Sequence, residues 1–224
     1  MKKIKRGVFR TSLIAILSCL PWQVEALSLE EVVDRVQKKY EETQDFTADF
    51  EQVTRLAGFK KEQGSSGKVF MKKPGKMRWE YQHPEKQLIV SDGEAIWYYN
   101  AGLHQVTEGK FSKAYDSKTP GMFLMGLGKL KEDFKVSLSP EASQASGGPY
   151  TLELRPKDPQ LQQKLSRLVI TVNPKSSLVE KSVVYDPLGN VTTLRFSNIR
   201  VNVGLAPSLF AFQVPKGAER IRIP

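Results

Sequence analysis

The sequence predicts an antiparallel α+β fold in which a curled sheet is covered on one side by helices. Three observations carry this. Helical periodicity is strong once, near the front of the chain, at Leu29, Val32, Val33, Val36 and Tyr40. From Phe46 onward the apolar period falls to two, and about eleven short runs of this kind follow, punctuated by turn residues. No regular alternation of helix and strand separates them, which sets aside a parallel βαβ architecture. A sheet of this size curls and leaves a concave face, and the helices are the elements available to cover it.

Ser28 is placed to cap the first helical turn, with Glu31 closing a capping box. In the first strand Phe46, Ala48, Phe50 and Gln52 share one face, and Thr47, Asp49 and Glu51 share the other. Leu56 to Ser65 is polar and glycine-bearing and is expected to form a mobile loop. Strands are then expected at Ser66–Met71, Lys76–Gln82, Gln87–Ser91, Ala95–Tyr99 and Leu103–Thr107. Asp92-Gly93, between the third and fourth of these, is the strongest short hairpin signal in the chain. Alternation is lost over Gly109–Asp133, where Met122-Phe123-Leu124-Met125 follows Pro120-Gly121, and one or two short helices are expected there. Strand pattern resumes at Phe134–Ser139, Tyr150–Arg155, Leu165–Val172, Leu178–Tyr185 and Val191–Val203. Glu141–Gly148 is a Ser/Gly/Ala-rich loop, and Asn173-Pro174 and Asp186-Pro187-Leu188-Gly189 supply turns. The tail, with Pro207, Phe210, Phe212 and Pro215, reads as a turn or short helix followed by an edge segment.

The chain has 224 residues and a formal net charge of +10. Its start reads as a secretory leader: Lys2, Lys3, Lys5, Arg6 and Arg10 precede the apolar stretch Leu13–Leu20, and Val24-Glu25-Ala26 offers a cleavage site. That stretch is about half the roughly 20 residues needed to span a bilayer. The expectation is a cleaved segment 1–26 and a single exported domain over 27–224. Five of the basic residues and one acid lie in the leader, which leaves +6 beyond it. The remaining cations are scattered among acids, which describes a solvated surface and no nucleic-acid groove. Attraction to anionic membrane surfaces or acidic partners is compatible with that charge. The only cysteine, Cys19, falls inside the leader, so no disulfide, thiol nucleophile or thiolate ligand is expected in the processed chain.

Nothing in the sequence nominates an active site. His83 and His104 lie in different turn or strand regions, with neither H-E-x-x-H spacing nor a neighbouring cysteine, so no metal site is expected. Gly64-Ser65-Ser66-Gly67 lacks the spacing of a nucleophile elbow, and Gly126-Leu127-Gly128-Lys129 lacks that of a phosphate loop. Asp49 and Glu51 share the polar face of their strand, where carboxylates are solvated. No catalytic residue and no cofactor follow. The conspicuous side chains are aromatic and thioether groups instead. Trp79, Trp97 and Phe196 would serve as core under helices, while a methionine-bearing flap at Met122, Phe123, Leu124 and Met125 suits a pocket that accepts variable apolar guests. Pro120-Gly121 supplies a hinge for such a flap.

These motifs together resemble those of the LolA-type family, the periplasmic carriers of outer-membrane lipoproteins. The likeness rests on F-T-A-D-F-E-Q at Phe46–Gln52, Ser66-Gly67, K-K-P-G-K-M-R-W-E-Y at Lys72–Tyr81 and Q-L-I-V-S-D-G-E-A-I-W-Y-Y-N at Gln87–Asn100. Gln105-Val106, Thr119-Pro120 and the F-x-F-x-x-P-x-G run at Phe210–Gly217 extend it over nearly the whole processed chain. The resemblance implies an incomplete antiparallel β-barrel closed by a lid of short α-helices, with an apolar cavity between them for acyl chains. It further implies a monomeric periplasmic shuttle of a Gram-negative bacterium that is not an enzyme. Its implied cargo is acylated lipoproteins, received from an inner-membrane ABC-type transporter and passed to an outer-membrane acceptor lipoprotein. By this likeness Phe46, Phe50, Trp79, Trp97 and the Met122–Met125 flap line the cavity or lid. Lys73 stands where family members carry an Arg that hydrogen-bonds to the lid, and lysine lacks the guanidinium fork, so the latch is expected to be weaker or rebuilt. Met77 stands where some members have an aromatic residue that meets the transporter.

An alternative reading keeps the fold but makes the chain a lipid-anchored acceptor acylated at Cys19, because Ile16-Leu17-Ser18-Cys19 loosely resembles a lipoprotein box. Intact mass of the exported protein separates the two. A lipid hydrolase would need a nucleophile and base that the sequence does not offer, and a stress-sensing protein of related fold would need a further domain.

Overall fold

The computed structural model describes residues 27–114, 129–139 and 148–223. The expected flap Met122–Met125 and the leader with Cys19 lie outside them. Helix α1 spans Leu29–Glu42, and it is followed by β1 (Asp45–Arg55), β2 (Glu62–Lys72), β3 (Lys76–His83), β4 (Gln87–Asp92), β5 (Ala95–Asn100) and β6 (Gln105–Lys110). The second half adds β7 (Phe134–Leu138), β8 (Tyr150–Pro156), β9 (Arg167–Val172), β10 (Val179–Tyr185), β11 (Val191–Val201) and β12 (Glu219–Arg222). All twelve belong to one open sheet in the order β12-β6-β5-β4-β3-β2-β1-β11-β10-β9-β8-β7. Every pairing is antiparallel except that of β12 along β6. The expected incomplete barrel is therefore present, and the tail's edge segment is its twelfth strand.

The expected loop Leu56–Ser65 is shorter than the sequence implied, because β2 already begins at Glu62 and pairs with β1 in unbroken register from Asp45↔Lys72 to Arg55↔Glu62. Gln63, Gly64 and Ser65 carry no apolar alternation; the backbone ladder to β1 holds them, a tertiary override of weak strand propensity. A helical turn at Pro159–Gln162 was not anticipated. Its signal is local: the Asp158 carboxylate accepts from the N–H groups of Gln160 and Leu161, and Pro159 opens the turn.

Two apolar clusters sit on the concave face. In the first, Val32, Val33, Val36 and Tyr40 of α1 pack on Leu152, Leu154, Leu168 and Ile170 of β8 and β9. The capping box forms as expected, with Ser28 and Glu31 exchanging backbone and side-chain bonds. Tyr40 is fully buried and its hydroxyl accepts from the Val179 N–H at 3.1 Å, which fixes α1 against β10. Burial pushes the phenol far above its usual titration range. The second cluster occupies β1, β2, β3 and β11 and forms the candidate site.

The opposite face of β3–β6 is also covered. After β11 the chain turns back over it, and the 3-10 helix Pro207–Phe210 lies on β3 and β4. Phe210, Val90 and Val106 are fully buried there, and Trp97 stacks on Phe212 with centroids 5.7 Å apart. The reversal after β11 is organised by Asp45, a buried carboxylate that accepts from the N–H groups of Val203, Gly204 and Leu205 at 2.7, 3.0 and 3.0 Å. Three converging N–H dipoles make such a nest suited to an anion.

The edge strand β12 is tied down by Glu108, which accepts from Arg220 at 2.7 Å and Arg222 at 2.5 Å. Hydrogen bonds from Arg220 and Arg222 hold the Glu108 carboxyl below the usual carboxylate range. A depressed folded-state value means this stabilisation is complete above the ordinary carboxylate pKa and is lost as pH falls through the folded one. Amide exchange of residues 219–222 should therefore be independent of pH-corrected conditions near neutrality and lose protection selectively in acid. Glu108→Gln should give the acid behaviour at pH 7.

Candidate functional site

Along β1 the concave side chains change character in one direction. Phe46 and Phe50 are each 2 % exposed, Gln52 and Thr54 are half-buried, and the hydroxyl of Thr54 meets that of Thr192 at 3.3 Å. The register carries this gradient across the sheet: Ala48 lies opposite Val69, Val69 opposite Trp79, and Trp79 opposite Ile89. Directly opposed residues share a face, so Trp79 and Tyr81 join Phe46 and Phe50. Phe50 meets Trp79 and Tyr81 edge-on with both centroid distances at 5.0 Å, and Phe196 of β11 meets Phe46 at 6.1 Å. These distances suit the edge-to-face attraction of aromatic quadrupoles.

Gly67 makes the ring cluster possible. It stands between Phe50 and Tyr81 in the register, at a bulge in the β2–β3 pairing. With no side chain there, rings from β1 and β3 close over the intervening strand. The β3 backbone also crowds the position, because a Cβ on residue 67 would stand 1.8 Å from the Glu80 carbonyl oxygen.

One end of this apolar surface is closed. Met71 and Met77 face each other across β2 and β3, and Phe111 packs against them beside the tight turns at Gly75 and Gly93. Just beyond, the Lys73 ammonium donates to the carbonyl oxygens of Tyr40 and Glu41 at 2.7 and 2.8 Å. These are among the last carbonyls of α1, which lack helical partners and carry the negative end of the helix dipole. Partial burial lowers the Lys73 pKa, opposed by the nearby Glu41 carboxylate. The other end is open and polar. There a cleft of about 500 Å³ is lined by Gln52, Thr54, Gln63, Tyr81, His83 and Gln87, and the Tyr81 hydroxyl donates to Gln52 at 3.2 Å.

The geometry brings Phe46, Phe50 and Trp79 together and adds Tyr81 and Phe196, which the sequence had not placed in the site. Tyr81 has the same parity as Trp79 and was legible on that ground; Phe196 joins only through the long-range pairing of β1 with β11. Trp97 does not belong. It pairs with Val90, which pairs with Arg78, so it points to the opposite face and packs on Phe212. Met77 is 1 % exposed at the closed end and offers no surface to a partner, contrary to the expected transporter contact. Lys73 does hold a helix, but through the terminal carbonyls of α1. Among the described residues no group of three or more His, Cys, Asp and Glu is arranged to hold a metal ion.

The fold and the graded concave face define a class: an open half-barrel with an aromatic-lined inner surface, closed at one end and polar at the other. A family model for the outer membrane lipoprotein carrier protein LolA matches residues 41–213. The chain belongs to this family. An outer-membrane lipoprotein carrier protein of Nitrosomonas europaea is 32% identical over 94% of this chain and 96% of its own. One of Cupriavidus necator is 36% identical over 69% of each. Among solved structures, an uncharacterized conserved protein from Thermus thermophilus shares the fold, with a TM-score of 0.55 and 16% identity over 87% of this chain and 98% of its own.

Proposed function

We propose that this protein is a periplasmic, non-enzymatic carrier that shelters the acyl chains of lipoproteins between two membranes. It takes them from an inner-membrane ABC-type transporter and yields them to an outer-membrane acceptor. The observation that carries this reading is the inner face on which Phe46, Phe50, Trp79, Tyr81 and Phe196 converge, in a chain of the LolA family. The side chains that converge on this face are aromatic and aliphatic, chemistry that suits an acyl chain.

The physical need is large. Burying an acyl chain is worth about 0.8 kcal/mol per methylene, so one chain of about sixteen carbons exposed to water would cost on the order of 12 kcal/mol. A sheath as apolar as a bilayer would hold the cargo too tightly to release it. A packed empty form, in which aromatic rings fill their own site, offsets part of the binding energy and keeps release accessible. In this scheme Lys73 is the latch that holds the closed end, with α1 as the element it retains.

Purified protein added to spheroplasts that accumulate outer-membrane-directed lipoproteins should bring them into the soluble fraction as one-to-one complexes detectable by native mass spectrometry. Recovery of soluble protein free of acylated species would contradict the proposal.

A further inference from the structure

The three most exposed large apolar side chains among the described residues are Leu188 at 79 %, Phe59 at 69 % and Leu103 at 69 %. All stand on turns at the same end of the sheet, the end where the polar cleft opens. This follows from the register: β1 ends at Arg55 opposite Glu62 of β2 and Val191 of β11, while β3 and β5 run toward that same end before the turns at Pro84 and Leu103. Moreover β2 continues past its last β3 partner at Ser66, so residues 62–65 and the attached loop project by about 13 Å at ~3.3 Å per residue.

Phe59 and Leu188 are presented by hydrogen-bonded turns that are joined to each other. The Phe59 N–H donates to the Leu56 carbonyl with Gly58 at φ 79°, and the Gly189 N–H donates to the Asp186 carbonyl with Gly189 at φ 85°. The Asp186 carboxylate accepts from the Leu188 and Asn190 N–H groups, which uses the acid to build its own turn. The two tips are joined by a bond of 2.8 Å from the Ala57 N–H to the Asn190 side-chain oxygen. Leucine and phenylalanine are thus held out in water by loops with no internal reason to expose them.

Cations flank the first tip. Arg55, Lys60 and Lys61 outnumber the carboxylates of Glu62 and, across the cleft mouth, Glu85, while Asp186 on the adjoining tip is committed to its own turn; no ion pair among the described residues engages any of the three cations. Separate apolar points backed by Lys and Arg differ from the contiguous apolar patch that mates with a protein surface. They match the interfacial signature in which apolar side chains enter the acyl boundary and cations meet anionic headgroups.

We propose that the open rim docks on an anionic phospholipid bilayer through Phe59 and Leu188, with Arg55, Lys60 and Lys61 on the headgroups. Docking in this orientation turns the mouth of the concave face toward the membrane. The inference does not depend on the cargo, because bilayers without lipoprotein suffice to test it.

The test is cosedimentation of the cargo-free protein with vesicles of phosphatidylethanolamine and phosphatidylglycerol, compared with pure phosphatidylcholine. The wild type should partition onto the anionic vesicles, and the double variant Phe59→Ser/Leu188→Ser should partition at least about tenfold more weakly. Leu138→Ser, at the opposite end of the sheet and also exposed, should bind as the wild type does. Raising salt to about 0.5 M should weaken wild-type binding by screening the headgroup contacts. Both tip positions are solvent-exposed, so an unchanged thermal melt verifies that the double variant is folded. No wild-type binding to anionic vesicles, equal binding by the double variant, or equal loss in Leu138→Ser would each overturn the proposal, and the first outcome would assign the tips to a protein partner.

Discussion

Replacing Gly67 with alanine should be the most damaging single substitution in the aromatic half of the sheet. The added Cβ would meet the Glu80 carbonyl oxygen at 1.8 Å, and that oxygen is backbone, so relief requires β3 to move away from β2. Separation at this point also pulls Trp79 and Tyr81 from Phe50, which couples the steric cost to lost ring contacts. Overpacking of this kind costs about 3 kcal/mol, which for a domain of this size corresponds to a fall in thermal midpoint of roughly 6–12 °C. The comparison that isolates the cause is Gly64→Ala on the same strand, where a Cβ meets nothing within 4 Å. Equal midpoints for the two variants would show that the bulge yields without cost.

Removing the Lys73 ammonium should have the largest effect on cargo handling. Lys73→Met leaves the Tyr40 and Glu41 carbonyls without their charged donor and releases the last turn of α1 from the hairpin that joins β2 to β3. Hydrogen bonds to a charged group contribute about 1.5–3 kcal/mol, and partial exposure holds the combined loss to about 2 kcal/mol. That is too small to unfold the protein, whose α1 remains anchored by Tyr40 and the cluster around it. It is large enough to raise the population of an opened end by roughly thirtyfold. Amide exchange in residues 40–43 should accelerate, and loading or release in a purified two-step transfer assay should shift. Lys73→Arg, which keeps the charge and adds a fork, should preserve both; an unchanged transfer rate in Lys73→Met would remove the latch from the mechanism.

How much of this was legible in the sequence depended on whether local pattern or long-range pairing decided the matter. Helix α1 and its capping box, and the inner faces of β1 and β3, were legible because a half-buried element writes its orientation into a period of 3.6 or 2. Trp97 misled because β5 is covered on both faces. Alternation separates its faces but does not say which is concave, and the covering segment at Phe210 and Phe212 returns from far along the chain. The extension of β2 through Gly64 and Ser65 was hidden because those residues are held by main-chain bonds to β1 and not by apolar side chains. Asp45 gave no signal for the same kind of reason: its three donors belong to the turn after β11. Likeness to the family marks Lys73, yet its acceptors, the terminal carbonyls of α1, are set by the fold and leave no local pattern.

The central claim is that the inner aromatic face receives fatty acyl chains. Its most direct measurement is binding of a synthetic diacylated lipopeptide, followed by tryptophan fluorescence, against the same peptide without acyl groups. Saturable binding at one lipopeptide per protein is expected, with a spectral change that is lost in Trp79→Phe and kept in Trp97→Phe, and no response to the unacylated peptide. Equal responses to both peptides, or a signal that follows Trp97 on the covered outer face, would contradict it.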